Sequence, residues 1–261
     1  MRIIHLSDLH FGTEEDFLVG ELQEAIEDKE PDIVVISGDF TQIGSASEFA
    51  RAQEFLQKLS TPVFCVPGNH DLPRYNIIER FFAPYKKYRK HIDASLFPVL
   101  NTKDAIIAGV NSARRILPHW NWANGAISHA QLRHLDTTFK IYDKNKTKRR
   151  VCVFHHPVHK ALNAPLDTVV FGARSALECL EALEVDLVLT GHVHHASVTT
   201  LGDVHHKTVY LSASTALSSR LREQQNGFNV IELGGEEMEI SVYSYEGSSF
   251  KCIENYNQQH P

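Results

Sequence analysis

The chain has 261 residues, 43% hydrophobic and 22% charged, which is enough to bury a full core and is ordinary for a globular protein rather than a disordered or fibrous one. A formal net charge of −6 argues against broad, charge-driven binding to long nucleic acid or to an anionic membrane, and no apolar run approaches a membrane span. The unusual count is 16 histidines, several of them clustered.

In chain order, residues 2–6 read as a strand, with no leader pattern of charged then apolar residues before it, so a cytoplasmic location is expected. Phe17, Leu18, Leu22, Ala25 and Ile26 form a helical stripe over 17–28. Ile33–Ile36 is a β-branched run typical of a strand covered on both faces. A second helix spans 48–59, and Val63–Val66 gives a third buried strand. This β-α-β-α-β order implies right-handed crossovers and a mostly parallel sheet. Residues 75–90 suggest one polar, aromatic insertion helix. Strands follow at 97–101 and 105–110, then a helix over 128–139 with Ser128 as its N-cap. The basic run Lys144–Arg150 reads as a solvated loop. A strand at 151–154, a helix near 175–183 and a strand at 187–189 continue the alternation. Short strands at 196–201, 207–212, 227–233 and 238–245 suggest an antiparallel second sheet. The economical organisation is a single domain over 1–261, with two packed sheets. Cys65 and Cys152 lie in strand runs and read as reduced core thiols.

Five short blocks interrupt these elements: Asp8-Leu9-His10, Gly38-Asp39, Gly68-Asn69-His70-Asp71, His155-His156 and Gly191-His192-Val193-His194. Each falls within a few residues of the end of an apolar strand run, the edge where α/β sheets gather functional groups. Alone, Asp8-x-His10 is as consistent with a capped turn as with a ligand pair. Asp39 follows a buried run, where a carboxylate is costly unless a cation compensates it, and a bridging role between two ions is favoured. Asn69 is a neutral oxygen donor. His70 is suited to donate a proton or stabilise charge on a phosphate. Period-two alternation puts His192 and His194 on one side and turns His195 away. The same alternation makes His155 and His156 diverge, so only one of them is expected to bind a metal. His205-His206 reads as surface.

In type, order and spacing these blocks resemble the calcineurin-like metallophosphoesterase superfamily, most closely its class III cyclic nucleotide phosphodiesterases. The resemblance covers residues 8 to 194 and implies an αββα sandwich of two mixed sheets flanked by helices. It implies two divalent ions of the manganese, iron or zinc type, with Asp8, His10, Asp39 and His194 on one ion and Asp39, Asn69, His155 and His192 on the other. His155 is preferred to His156 by the family pattern. His70 would be the acid or transition-state stabiliser, and Asn69, His70 and Arg74 are candidate substrate contacts, with a plain surface role equally open for Arg74. Protein phosphatases of the superfamily carry G-D-x-x-D-R-G and G-N-H-E. Here Gln42, Ile43 and Gly44 replace D-R-G and Asp71 replaces Glu, so the acid that would orient His70 is missing from its place.

The expected chemistry is in-line attack on a small phosphodiester, such as a 3',5'-cyclic nucleotide, by hydroxide held between ions about 3.5–4 Å apart. Phosphomonoesters, glycerophosphodiesters and nucleotide derivatives are the alternatives, with a non-catalytic scaffold ranked below them because no ligand is missing. The expected partner is a small phosphorylated substrate, with neither membrane nor long nucleic acid, and a homo-oligomer is compatible with the sequence. His119, Trp120, Trp122 and His159, in loops near 111–127 and 158–172, could stack a base or simply pack the rim. The loop near 72–92 carries no motif.

Overall fold

A strand that is apolar at every position needs cover on both faces, and the computed structural model sets three such runs side by side. It describes residues 1–117, 122–160, 168–219, 221, 224–234 and 237–259. β1 (Arg2–Leu6), β2 (Ile33–Ile36) and β3 (Val63–Cys65) run parallel, with α1 (Asp16–Glu27) and α2 (Ala46–Lys58) as crossovers. Alternate side chains serve different layers. Ile3, Ile33 and Val35 enter one apolar cluster, while Ile4, Leu6, Val34 and Ile36 pack on Leu18, Leu22 and Ile26 of α1 and on Phe49, Ala52 and Phe55 of α2. A capping box starts α2 two residues earlier than its apolar stripe: Ser45 Oγ accepts from the Glu48 N–H, and the Glu48 carboxylate accepts from the Ser45 N–H.

The second sheet is built on β5 (Ala105–Gly109), β6 (Arg149–Val153), β7 (Leu187–Thr190) and β9 (Lys207–Ser212), all parallel. β4 (Val99–Asn101) and β8 (Ser197–Gly202) close its edges antiparallel. Its inner face, through Val151, Val153, Leu187 and Leu189, meets Ile3, Val35 and Phe64 of the first sheet. Its outer face packs through Ile106, Cys152 and Val188 on Leu135 and Phe139 of α5 (His129–Tyr142) and Leu180 of α6 (Ala173–Ala182). The layers are therefore α-β-β-α, two mixed sheets flanked by helices. Among the described residues no helix is long and apolar enough to cross a membrane.

Three expectations are corrected. The late strands do not form a sheet of their own: β8 and β9 join the second sheet, while β10 (Gly227–Leu233), β11 (Glu237–Tyr245) and β12 (Phe250–Gln259) extend the first in the order β12-β11-β10-β1-β2-β3. β10 is apolar toward both layers, with Phe228 and Val230 on one side and Ile231 and Leu233 on the other, so it belongs inside a sheet, beside β1. β12 has no sequence forecast because it is a polar, largely exposed edge strand. The helix over 75–90 is two, α3 (Ile77–Phe82) and α4 (Lys86–His91), because Ala83 before Pro84 leaves the helical region at φ −145°, ψ 53°. Finally, Arg149 and Arg150 are strand residues. Arg150 is 5% exposed and donates to the Leu183 carbonyl and to Asp143, so the basic run ends inside the fold.

Candidate metal centre

The segments after β1, β2, β3, β6 and β7 meet at one edge and are stitched together by backbone. The Asp8 N–H donates to the Gly38 carbonyl, the His10 N–H to that of Asp39 and the Gly191 N–H to that of His155, each at 3.0 Å. Two glycines permit the approach. A Cβ on Gly68 would lie 2.1 Å from Asp39 Oδ1, and one on Gly191 only 1.7 Å from Ser7 Oγ.

Among the described residues eight non-glycine residues have positive φ, and five belong to this edge: Asp8 (54°), His10 (49°), Asp39 (55°), His192 (71°) and His194 (54°). Each such conformation costs on the order of 1–3 kcal/mol and persists only where the surroundings enforce it. This corrects the expected geometry. His192 and His194 are not paired by alternation in extended chain; left-handed residues aim them, as they aim Asp8 and His10.

Three groups result, each with ligand-capable atoms within 4.8 Å of one another: Asp8, His10 and His194; Asp8, Asp39 and His155; and His155, His156 and His192. In the first, His10 Nε2 is 3.0 Å from His194 Nε2, and Asp8 Oδ1 is 3.1 Å from His194 Nε2 and 3.5 Å from His10 Nε2. Asp39 Oδ2 stands between the groups, 3.2 Å from His155 Nε2 and 3.9 Å from His10 Nε2. Asn69 Oδ1 is 3.2 Å from His155 Nε2. The sequence-predicted Asp8, His10, Asp39, Asn69, His155, His192 and His194 are thus brought together, in adjoining groups linked through Asp8 and His155, with Asp39 Oδ2 between the His155 and His10 imidazoles.

The atoms behind this set fix what faces inward. His10 Nδ1 lies 3.3 Å from the Thr41 carbonyl and His155 Nδ1 2.8 Å from the Ser37 carbonyl, so each Nδ1 carries the proton and each Nε2 turns inward. Asp8 Oδ2 accepts from Ser7 Oγ at 2.6 Å and from the His192 N–H at 2.9 Å, while its Oδ1 is buried without a hydrogen-bond partner. Asp39 Oδ1 accepts from the His70 N–H at 2.8 Å, leaving Oδ2 for the centre. An orphaned carboxylate oxygen beside convergent imidazole nitrogens is what a divalent cation fits.

Protonation tells the same story. Burial opposes the charge on Asp8 and Asp39, yet the surrounding histidines, His194 foremost for Asp8 and His155 for Asp39, hold both well below the usual carboxylate range. Burial likewise disfavours imidazolium at His155, but the Asp39 carboxylate lifts it to about 9. His192 drops to about 3 through burial and then the charge of His155. The buried carboxylates call for positive charge, and His192 presents a neutral imidazole beside them.

His70 stands at the centre's rim, its ring 4.9 Å from that of His10 and its Nδ1 2.7 Å from the Gln42 carbonyl. A backbone carbonyl thus orients His70 where the sequence pattern lacks its acid. Asp71 instead ties the loops together, accepting from the Thr41 N–H and Oγ1 with one oxygen and from the Gly68 N–H with the other. A cleft of about 130 Å³ opens beside Asn69 and His70 and is lined also by Arg74 and by Arg80, which no motif flagged. His156, expected to diverge from His155, also reaches the centre: its ring is 4.6 Å from that of His192, and its Nδ1 is 2.7 Å from Ser112 Oγ. Sequence reasoning also missed Thr215, whose Oγ1 donates to the Asp8 carbonyl, and a buried trio of His5, Ser37 and Asn229. Arg114 and Arg115 serve the backbone, donating to carbonyls of Asn111 and Phe81. His159 packs on Tyr210. His119, Trp120 and the Trp122 side chain lie outside the described residues.

A protein named "Probable glycerophosphodiester phosphodiesterase GpdQ" from Arcobacter nitrofigilis is 27% identical over 188 residues, 71% of this chain and 63% of that one. A 3',5'-cyclic-nucleotide phosphodiesterase from a Nostoc species is 23% identical, covering 89% of this chain and 88% of that one. The 3',5'-cyclic adenosine monophosphate phosphodiesterase CpdA of Haemophilus influenzae is 29% identical over 67% of this chain and 58% of its own length. The chain therefore spans less than two thirds of two of these three relatives. Among solved structures, a dimetal phosphatase from Danio rerio shares the fold at a TM-score of 0.70 and 15% identity, covering 100% and 99% of the two chains. A model of the calcineurin-like phosphoesterases matches residues 1–196, the span that holds every residue of these groups, and the chain belongs to that family.

Proposed function

We propose that the protein is a hydrolase of small phosphodiesters that works with two divalent ions of the manganese, iron or zinc type. The observation that carries this reading is the position of Asp39 Oδ2 between the His155 and His10 imidazoles. Asp8, His10, Asp39 and His194 would hold one ion, and Asp39, Asn69, His155 and His192 the other. The mixture of imidazole, carboxylate and amide suits those metals better than magnesium or calcium, which favour oxygen throughout. Bound there, the ions would lower the pKa of a water to roughly 7 and stabilise charge on the phosphoryl oxygens.

The chain's own groups do the remaining work. With Nδ1–H given to the Gln42 carbonyl, His70 keeps Nε2 for the substrate, where it donates a hydrogen bond or a proton to the leaving oxygen. Burial lowers the pKa of His70 and the Asp39 carboxylate opposes that shift, so the donating form is the imidazolium that an anionic substrate would stabilise. Arg74 and Arg80 line the cleft beside it and meet the anionic phosphate. Asn69 adds a neutral donor, so the site keeps net positive charge for a diester. The names of the relatives support 3',5'-cyclic nucleotides first and glycerophosphodiesters second. Long nucleic acid is disfavoured by the net charge, and the buried free thiols Cys65 and Cys152 fit a cytoplasmic setting.

A panel of cyclic nucleotides, glycerophosphodiesters and bis(p-nitrophenyl) phosphate, assayed with the manganese-loaded protein, tests the reading. Turnover of at least one diester is expected, with Asn69→Ala weakening metal binding. Failure to turn over any diester by protein that carries metal would sink it.

A further inference from the structure

Residues 73–92 stand apart from the rest of the chain in both charge and burial. They hold Arg74, Arg80, Lys86, Lys87, Arg89 and Lys90 against Glu79 alone, a net +5 within a chain of −6, so the remainder carries −11. α3 buries no residue. Tyr75, Ile77, Ile78 and Phe82 are 75%, 67%, 74% and 85% exposed, and Ile116 is exposed as well. Ile78 and Phe82 are four apart on α3 and share one of its faces, and Tyr75 lies just before the helix. No core contact explains this concentration of apolar surface, and such patches mark interaction sites.

The patch is nevertheless held firmly. Lys87 of α4 pairs with Glu79 of α3 at 2.6 Å, and Arg80 and Arg115 exchange hydrogen bonds with the carbonyls of Arg115 and Phe81. On α4, Tyr88 is buried against Phe40 and His91 stacks on Phe49, while Lys86, Arg89 and Lys90 remain exposed. A basic helix thus adjoins an apolar one, and Arg74 and Arg80 carry the patch to the lip of the cleft beside His70.

We infer that this face docks on an anionic lipid bilayer, with Tyr75, Ile77, Ile78 and Phe82 entering the headgroup region and Lys86, Arg89 and Lys90 meeting lipid phosphates. A bilayer supplies apolar and negative surface together, which is what this composition matches. A symmetric dimer through the same patch would set +5 against +5, since a two-fold interface meets itself. Docking would bring the cleft to the bilayer without any spanning helix.

Sedimentation of the full chain with vesicles of phosphatidylcholine, with and without phosphatidylglycerol, tests this independently of catalysis. Binding to the phosphatidylglycerol vesicles is expected, weakened by salt and reduced about tenfold or more by Ile78→Ser with Phe82→Ser. The melting temperature of that variant should match the wild type, because neither residue is buried. No binding to anionic vesicles at low salt, or binding indifferent to the double substitution, overturns the inference. So does light scattering that finds a dimer abolished by Phe82→Ser, or a requirement for an acidic protein partner in place of lipid.

Discussion

The strand-end edge and the 73–92 segment sit side by side and are built on opposite terms. At the edge, Asp8, Asp39 and His155 are fully enclosed, five side chains are carried by left-handed backbone, and glycines leave no room for a methyl group. Across 73–82 the chain turns its large apolar residues outward and buries none of α3. The first region is fixed by its neighbours and tolerates little change; the exposed apolar side chains of the second can change at little cost to the fold. Burial of functional polar groups requires a partner for each atom, and surface display does not.

Substitutions can break that contrast. Asp39→Asn should do most, because in the proposed assignment it removes the carboxylate that both ions would share. Outer partners of metal ligands already cost about 10–100-fold when lost, so activity should fall by more than about 100-fold, with metal content falling too. Retained activity in the manganese form would undo the bridging role. Next, His70→Ala should lower kcat by about 100-fold or more, the usual worth of a positioned acid, while leaving bound metal unchanged by elemental analysis. Gly191→Ala should destabilise by about 1–3 kcal/mol in denaturant unfolding, as overpacked sites do, since its Cβ would meet Ser7 Oγ. Smallest of all, Phe82→Ser should change stability by no more than about 0.5 kcal/mol. A larger loss would mean that the exposed segment is as over-determined as the edge.

The sequence carried the edge better than its surroundings. Ligand types were legible because carboxylate, amide and imidazole follow buried strands at fixed places, and β2, β9 and β10 were bounded by their apolar runs. What it hid depends on tertiary neighbours. That β10 lies beside β1 follows from its two-sided burial, which no local pattern assigns to a particular sheet. His70 is oriented by the Gln42 carbonyl, and a backbone group leaves no mark in a motif. The left-handed turns were invisible because aspartate and histidine tolerate them without a glycine to announce them. His156 reaches the centre because the turn after β6 is not extended chain, so the divergence of neighbouring strand residues does not apply.

Metal content tests the central claim most directly. Protein loaded with manganese and freed of excess should hold two ions per chain by elemental analysis, and His192→Ala and His194→Ala should each hold one. A single ion in the wild type, or two in both variants, would contradict a centre in which two ions share Asp39.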